Sequence, residues 1–198
     1  MRFPLCPRSL GSQDDMHTIA TERVYLRPLH EDDLDNFARI GSDPDVMRYI
    51  GSGETQSRDQ TAARLYAMIE HRTQHGFGLW AAIHKASGEW MGFCGLQFLD
   101  KTSEVEVGYR LAKRFWGMGL ATESARASLL YGFEELGLDR IVGVVQMENL
   151  ASQRVLEKIG LRYVKDARFY NSDVKYYAVS RDEYKRDDST YIQRSAKS

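Results

Sequence analysis

The chain has 198 residues, 42% hydrophobic and 28% charged, with Lys+Arg 27 against Asp+Glu 28 and a formal net charge of -1. This suits one globular domain able to bury a real core. The even charge balance argues against a general nucleic-acid or membrane-surface binder, and no apolar run is long enough to span a bilayer.

The opening "MRFPLCPRSLGSQDDMHTIA" has two prolines and no apolar block of the signal-peptide kind. It reads as a disordered leader over residues 1–20, with Met16 as an alternative start. "RVYLRPL" (23–29) alternates and predicts a strand. "EDDLDNFARIG" (31–41) predicts a helix with Glu31, Asp32, Asp33 and Asp35 in its first turn and Gly41 just past its end. That acidic cluster reads as a helix start, or else as an attractor for a cationic substrate. "SDPDVMRYI" is a turn with a short helix. In "SRDQTAARLYAMIEHRTQHG", Ser57 and Gln60 form a capping box, Ala62, Leu65, Tyr66 and Ile69 share one face, and Gly76 ends the helix.

A β run follows. "LWAAIH" and "WMGFCGLQFL" are joined by "KASGE", a hairpin-like turn. In "EVEVGYRL" (104–111), Val105, Val107, Tyr109 and Leu111 share one face and Glu104, Glu106 and Arg110 the other, unless Gly108 marks a bulge. A helix is predicted from about Gly119 to Leu136, stopped by Gly137. "RIVGVVQM" is a buried strand, "NLASQRVLEKIG" a helix stopped by Gly160, and "LRYVKDARFY" with "VKYYAVS" a closing hairpin. The order β α α β β β α β α β β implies an α/β (α+β) domain, a mixed sheet with helices on both faces. "KRDDSTYIQRSAKS" reads as a disordered tail over 185–198.

Few residues suggest metal or redox chemistry. Cys6 and Cys94 lack metal or redox spacing and read as reduced thiols of a cytoplasmic protein. His71 and His75 lie one helical turn apart without an H-E-x-x-H pattern, so no metal is expected. Trp80, Trp90 and Phe93 read as core or rim.

The informative stretch is "RFWGMGLATESARASLLYGF" (114–133), two glycines where a helix begins. A helix start carries amides without intrahelical partners, so it is either a simple turn or an anion seat. A dinucleotide fold fits poorly: "GMGLAT" lacks the third glycine and does not directly follow its strand. No P-loop pattern exists in the chain.

Arg114, Phe115, Trp116, Gly117, Met118 and Gly119 fit the pattern R/Q-x-x-G-x-G/A. With "VEVGYRL" before it, "WGMGLATES" over it, "ENLASQRVLEKIGLRY" after it and the early "TERVYLRPLHEDD", the chain resembles the GNAT superfamily of acyl-CoA-dependent N-acyltransferases. Within that superfamily it is similar to the RimJ/RimL-like branch, the ribosomal-protein N-terminal acetyltransferase type. The resemblance covers roughly residues 21 to 180 and implies one domain over 21–184, with a splayed central strand pair. It implies direct, ternary-complex transfer of an acetyl group from acetyl-CoA to a primary amine, on a protein N-terminus or a small molecule. The alternative is a non-catalytic acyl-CoA sensor domain.

By the same resemblance, the amides of Trp116, Gly117, Met118, Gly119 and Leu120, the first-turn residues Ala121 and Thr122, and Arg114 hold the pyrophosphate. Tyr109, Arg110 and Leu111 pair with the pantetheine arm, and a backbone N–H near Tyr109 meets the oxyanion. Asn149 contacts the pantetheine and Ser152 protonates the departing thiolate, although Asn149 reads equally as a helix cap and Ser152 as a first-turn residue. Glu106 is the first choice of base and Glu104 the second, against an exposed strand carboxylate. Lys113 and Arg154 would face the coenzyme's 3′-phosphate, or else are solvated charges, and Tyr25, Tyr49 and Phe77 would line the acceptor pocket. Cys94 has no evident activating base. The expected partners are acetyl-CoA and an amine, with neither nucleic acid nor membrane; a homodimer is compatible with the family.

Overall fold

The computed structural model describes residues 18–186. Cys6, Met16 and most of the expected leader and tail lie outside the described residues. The chain opens with β1 (Ile19–Ala20) and β2 (Val24–Pro28). The pair β1 was not foreseen: it falls in the expected leader, yet Ile19 is fully buried against the core. Two residues are too short to carry an alternation signal.

A single 3-10 turn (Glu31–Asp33) leads into α1 (Leu34–Gly41). Asp33 is buried, bonded to Arg27 at 2.6 Å and to the His30 amide at 2.9 Å. The acidic cluster is therefore a helix start with one core ion pair. Gly41 is the last residue of the helix rather than the one past its end, and a Cβ there would come within 2.8 Å of Thr61 Oγ1 on the neighbouring helix. After α2 (Pro44–Met47), α3 (Arg58–His75) begins with the reciprocal Ser57–Gln60 capping box and ends at Gly76, φ 76°. Its buried face is Thr61, Leu65 and Met68, while Tyr66, expected inside, is exposed.

β3 (Leu79–His84), β4 (Trp90–Phe98) and β5 (Val105–Leu111) form an antiparallel meander. The β4–β5 register runs unbroken from Gly92↔Leu111 to Phe98↔Val105, so Gly108 is not a bulge. The irregularity lies between Ala82 and Ile83, on the other side of β4. α4 (Leu120–Leu130) continues as one π turn (Tyr131–Glu135), which a 3.6-residue periodicity cannot reveal, and Gly137 ends it at φ 72°. β6 (Arg140–Gln146), α5 (Leu150–Lys158), β7 (Arg162–Phe169) and β8 (Ser172–Ser180) complete the chain.

The eight strands form one sheet in the order β1-β2-β3-β4-β5-β6-β8-β7. Leu120, Ala125 and Leu129 of α4 and Leu156 of α5 pack on one face, against Leu26, Trp80, Leu96 and Val107. Phe37, Ile40, Leu65 and Met68 of α1 and α3 cover the other, against Leu79, Ala81, Trp90 and Phe93. The fold is thus the expected mixed α/β sheet with helices on both faces.

One junction matters most. β5 and β6 are parallel and meet only at Glu106↔Val142, near their starts. Beyond that point they splay, and the gap between them is the floor of the site. The far end of β5 is fixed by Gly92, where a Cβ would stand 2.0 Å from the Arg110 carbonyl oxygen. Gly92→Ala is therefore expected to cost about 1–3 kcal/mol of overpacking. That is a Tm drop of roughly 2–12 °C at 2–4 °C per kcal/mol, read by thermal denaturation.

Candidate active site

A cleft of about 820 Å³ runs through the splay and touches both faces of the sheet. On one face it meets the start of α4. Gly117 and Gly119 adopt φ 74° and 78°, a left-handed conformation that favours glycine. The first amide of α4 with a backbone partner is that of Glu123, which donates to the Gly119 carbonyl at 3.0 Å. Among the described residues, the amides from Gly117 to Thr122 have none, whereas the Trp116 amide, expected to be open, donates to the Lys113 carbonyl at 3.0 Å and closes the preceding turn. A Cβ at Gly117 would meet nothing within 4 Å, so open space lies above these donors.

Three side chains brace this turn. The Trp116 indole donates to the Leu111 carbonyl at 2.8 Å, tying the turn to the splayed edge of β5. Arg23, just before β2, donates to the Met118 carbonyl at 2.9 Å. Glu123 in turn holds Arg23 through Oε2 at 2.7 Å and accepts from the Thr21 hydroxyl at 2.6 Å, and these donors together pull its pKa below the usual carboxylate value against burial. Arg23 escaped the sequence reading because its partner is 100 residues away. Arg114, expected here, turns aside: it pairs with Glu89 at 3.2 Å and does not line the cleft. The Met118 side chain is exposed, while Leu120, Ala121 and Thr122 line the cleft.

The edge of β5 faces the splay in a defined way. The Ala112 amide bonds the Met91 carbonyl, so antiparallel alternation turns the Tyr109 amide and carbonyl away from β4 and toward β6. Past Glu106↔Val142 no pairing uses them. The Tyr109 hydroxyl lies 2.8 Å from Ser152 Oγ, and Asn149 accepts from the Ser152 amide at 3.1 Å. Asn149 is thus the cap of α5, and both it and Ser152 still line the cleft. Burial pushes the Tyr109 phenol above its ordinary pKa, with the Ser152 hydrogen bond opposing.

On the opposite face lies Glu106, 5% exposed and no solvated strand carboxylate. It stands across from Gln97 in register, and Gln97 Nε2 donates to its Oε1 at 2.6 Å. The Tyr170 hydroxyl also donates to Oε1. Tyr170 and Asn171 have φ 52° and 60°, the two left-handed residues of a type I′ hairpin turn that delivers the phenol. Burial raises the Glu106 pKa to about 7, against the Tyr170 and Gln97 hydrogen bonds and the charge of Arg64. Gln97, Tyr170 and Arg64 were all missed, since only the folded sheet brings them together.

Other expectations sort cleanly. Glu104 bonds the Tyr176 hydroxyl at 2.5 Å and does not line the cleft, so it is not a second base there. The Arg110 side chain is buried on the Glu106 face, away from the α4 amides. Lys113 lines the cleft but is paired to Asp45; Arg154 and Tyr49 line it as well, and Tyr25 and Phe77 do not. Trp80, Trp90 and Phe93 are core. Cys94 is buried 3.5 Å from Ser128 Oγ, and burial pushes its thiol up to about 12. His71 packs against His75, Phe77 and Phe98, and burial lowers its pKa. Among the described residues no group of three or more His, Cys, Asp or Glu is placed to hold a metal, and no helix is long and apolar enough to cross a membrane.

The sequence pattern of the family "Acetyltransferase (GNAT) domain" matches residues 23–162. The Bacillus subtilis protein YkkB is 36% identical over 164 residues, covering 80% of this chain and 93% of that protein. The FsC-acetyl coenzyme A-N(2)-transacetylase of Aspergillus fumigatus is 31% identical over 163 residues, 78% of this chain and 68% of that one. The crystal structure of a GNAT-family acetyltransferase from Bacillus anthracis superposes with a TM-score of 0.72 at 27% identity, covering 83% of this chain and 99% of that one.

Proposed function

The chain belongs to the GNAT acetyltransferase family, and we propose that it is an acetyl-CoA-dependent N-acetyltransferase acting on a primary amine by direct attack in a ternary complex. The RimJ/RimL-like motifs make a protein N-terminus one acceptor of that kind, and a small-molecule amine the other. The observation that carries this reading is the joint presence, in one cleft, of the unpartnered amides of Gly117, Gly119, Leu120, Ala121 and Thr122 at a helix start and a buried carboxyl with a pKa of about 7.

The open amides at Gly117 and Gly119 fit a pyrophosphate, and the unpaired edge at Tyr109 fits the amide groups of a pantetheine arm. Bound acetyl-CoA supplies a thioester acetyl group open to attack by an amine. Glu106 then accepts the proton of the attacking nitrogen, directly or through water. The Tyr109 amide donates to the carbonyl oxygen as charge gathers there. The hydroxyl pair of Tyr109 and Ser152 returns a proton to the departing thiolate. A free α-amine has a pKa of about 7.7–8.0, so a base near 7 is matched to it. No step uses Cys94, whose raised pKa keeps it a thiol. One domain over residues 21–184 carries all of these groups.

Mixing the protein with acetyl-CoA and a panel of N-terminal peptides and small amines, while following thiol release and product mass, tests the reading. Acetyl-CoA binding with no release across the panel would leave a sensor domain instead. Ser152→Ala is expected to lower kcat by about tenfold, since a thiol of pKa about 8.5 needs modest help to leave. The Kd for acetyl-CoA should stay within about twofold by calorimetry. An unchanged kcat would remove Ser152 from the mechanism.

A further inference from the structure

We propose that the acceptor carries a carboxylate on the same molecule as its amine, and that Arg110 and Arg64 hold this carboxylate over Gly108 while the amine faces Glu106. The inference rests on the acetyl-transfer reading and adds to it the class of acceptor.

Arg110 is 7% exposed. Its guanidinium carbon lies 5.3 Å from the Phe93 ring centroid, and Nη1 donates only to Met47 Sδ at 3.4 Å. Its Nε is buried without a partner, and so is that of Arg64 on α3. Among the described residues, no carboxylate lies within ion-pair distance of either guanidinium. Arg27 offers the contrast, meeting Asp33 with both terminal nitrogens. Burial lowers the Arg110 pKa to about 9, which leaves it charged at neutral pH, and the neighbouring charge of Arg64 pushes the same way. Two buried like charges with no ion pair, and with Glu106 pulling on Arg64 alone, are unfavourable for the fold. The Met47 sulfur and the Phe93 face touch the guanidinium but carry no net negative charge. A buried charge that costs stability and lacks an anionic partner points to a ligand.

The position says which ligand. Strand alternation places Glu106, Gly108 and Arg110 in a row on the face covered by α1 and α3. The α4 amides open on the other face, so the missing anion does not belong to the coenzyme. Between the acid and the cation stands Gly108, where even a Cβ would keep 3.6 Å from Leu79 Cδ2 and 3.9 Å from Gln97 Nε2. The row thus offers a proton acceptor, a gap and a cation, with Arg64 facing in from the helix. An amine and a carboxylate on one compact molecule match that row, and a carboxylate matches the guanidinium fork. Free amino acids and peptides with an acidic residue near the N-terminus share this chemistry.

The test compares alanine, phenylalanine, methionine and glutamate with their carboxamides, and Ala-Glu- with Ala-Gln-initiated peptides, under saturating acetyl-CoA. We expect kcat/KM to favour the carboxylate at least tenfold in one of the two sets, which also separates free amino acids from peptides. Arg110→Met should lower kcat/KM for the preferred carboxylate by about 10–100-fold, the range for a charged hydrogen bond, and collapse the preference to within about threefold. It should also raise Tm, because an uncompensated buried charge is gone. A binding arm needs no turnover: N-acetylglutamate and N-acetylphenylalanine with CoA should stabilise the wild type in a thermal-shift assay more than their carboxamides do, and Arg110→Met should erase that difference. If acetyl-CoA binds and no amine reacts, the transfer reading fails while this arm still decides the anion site. Equal treatment of carboxylate and carboxamide in both arms, a preference surviving Arg110→Met and Arg64→Gln, or a lower Tm with intact preference each overturns the proposal. So does a loss confined to acetyl-CoA affinity.

Discussion

Glu106→Gln is expected to lower kcat by about 10²–10⁴-fold, the usual contribution of a positioned general base. The amide keeps the size of the side chain and can still accept from Tyr170 and Gln97, so the fold should hold. The pH profile is the sharper readout. With the wild type, kcat/KM should rise with unit slope through about pH 7, where Glu106 loses its proton, and further as the acceptor amine becomes neutral. In the variant the first limb should vanish and the second remain. A limb that persists near pH 7 in Glu106→Gln would show that another group is the base.

Stability should move the opposite way. The folded pKa of Glu106 lies above the ordinary carboxylate value of the unfolded chain. Between roughly pH 4.3 and 7 the folded protein therefore binds the extra proton, and stability contributed by the protonated form is lost as pH rises through that window. The gain in Tm of Glu106→Gln over wild type should thus be larger at pH 8 than at pH 4.5. A variant that is inactive and more stable at alkaline pH separates a chemical role from a structural one.

Gly119→Val is expected to weaken acetyl-CoA binding by about 100-fold or more. A β-branched residue at φ 78° is a genuine outlier, and the strain is of order 1–3 kcal/mol. The new Cβ would stand 3.5 Å from Arg23 Nη2, beside the brace that holds the Met118 carbonyl. The added bulk stands at the residue that opens α4, next to the open amides. Strain alone would also lower Tm, so a control is needed. Gly88 has φ 69° in the hairpin between β3 and β4 and does not line the cleft, with nothing within 4 Å of its Cβ position. Gly88→Val should lose a similar amount of Tm and keep its affinity for acetyl-CoA by calorimetry. Equal affinities in both variants would sink the anion-seat assignment at Gly119.

Local chemistry was readable from the chain. Ser57 and Gln60 cap α3 as their spacing implied, and the two faces of β5 fell as the alternation placed them. What resisted reading was long-range or aperiodic. The π turn after Leu130 breaks no hydrophobic pattern. Arg114 has the right type and place for an anion, yet Glu89 captures it, and nothing in one sequence says which of two near carboxylates or ligands a flexible arginine prefers. Glu106 was legible as a candidate; its unusual acidity was not. That comes from burial, which only the folded sheet and its covering helices create, and which outweighs the opposing pull of Tyr170, Gln97 and Arg64.

The type I′ turn at Tyr170–Asn171 ties the two ends of the fold together. The open amides at the start of α4 and the cap of α5 both precede it in the chain, whereas the phenol that donates to Glu106 comes from the closing hairpin, 64 residues further on. A change confined to that hairpin therefore reaches the carboxyl on the third antiparallel strand without touching the glycine turn.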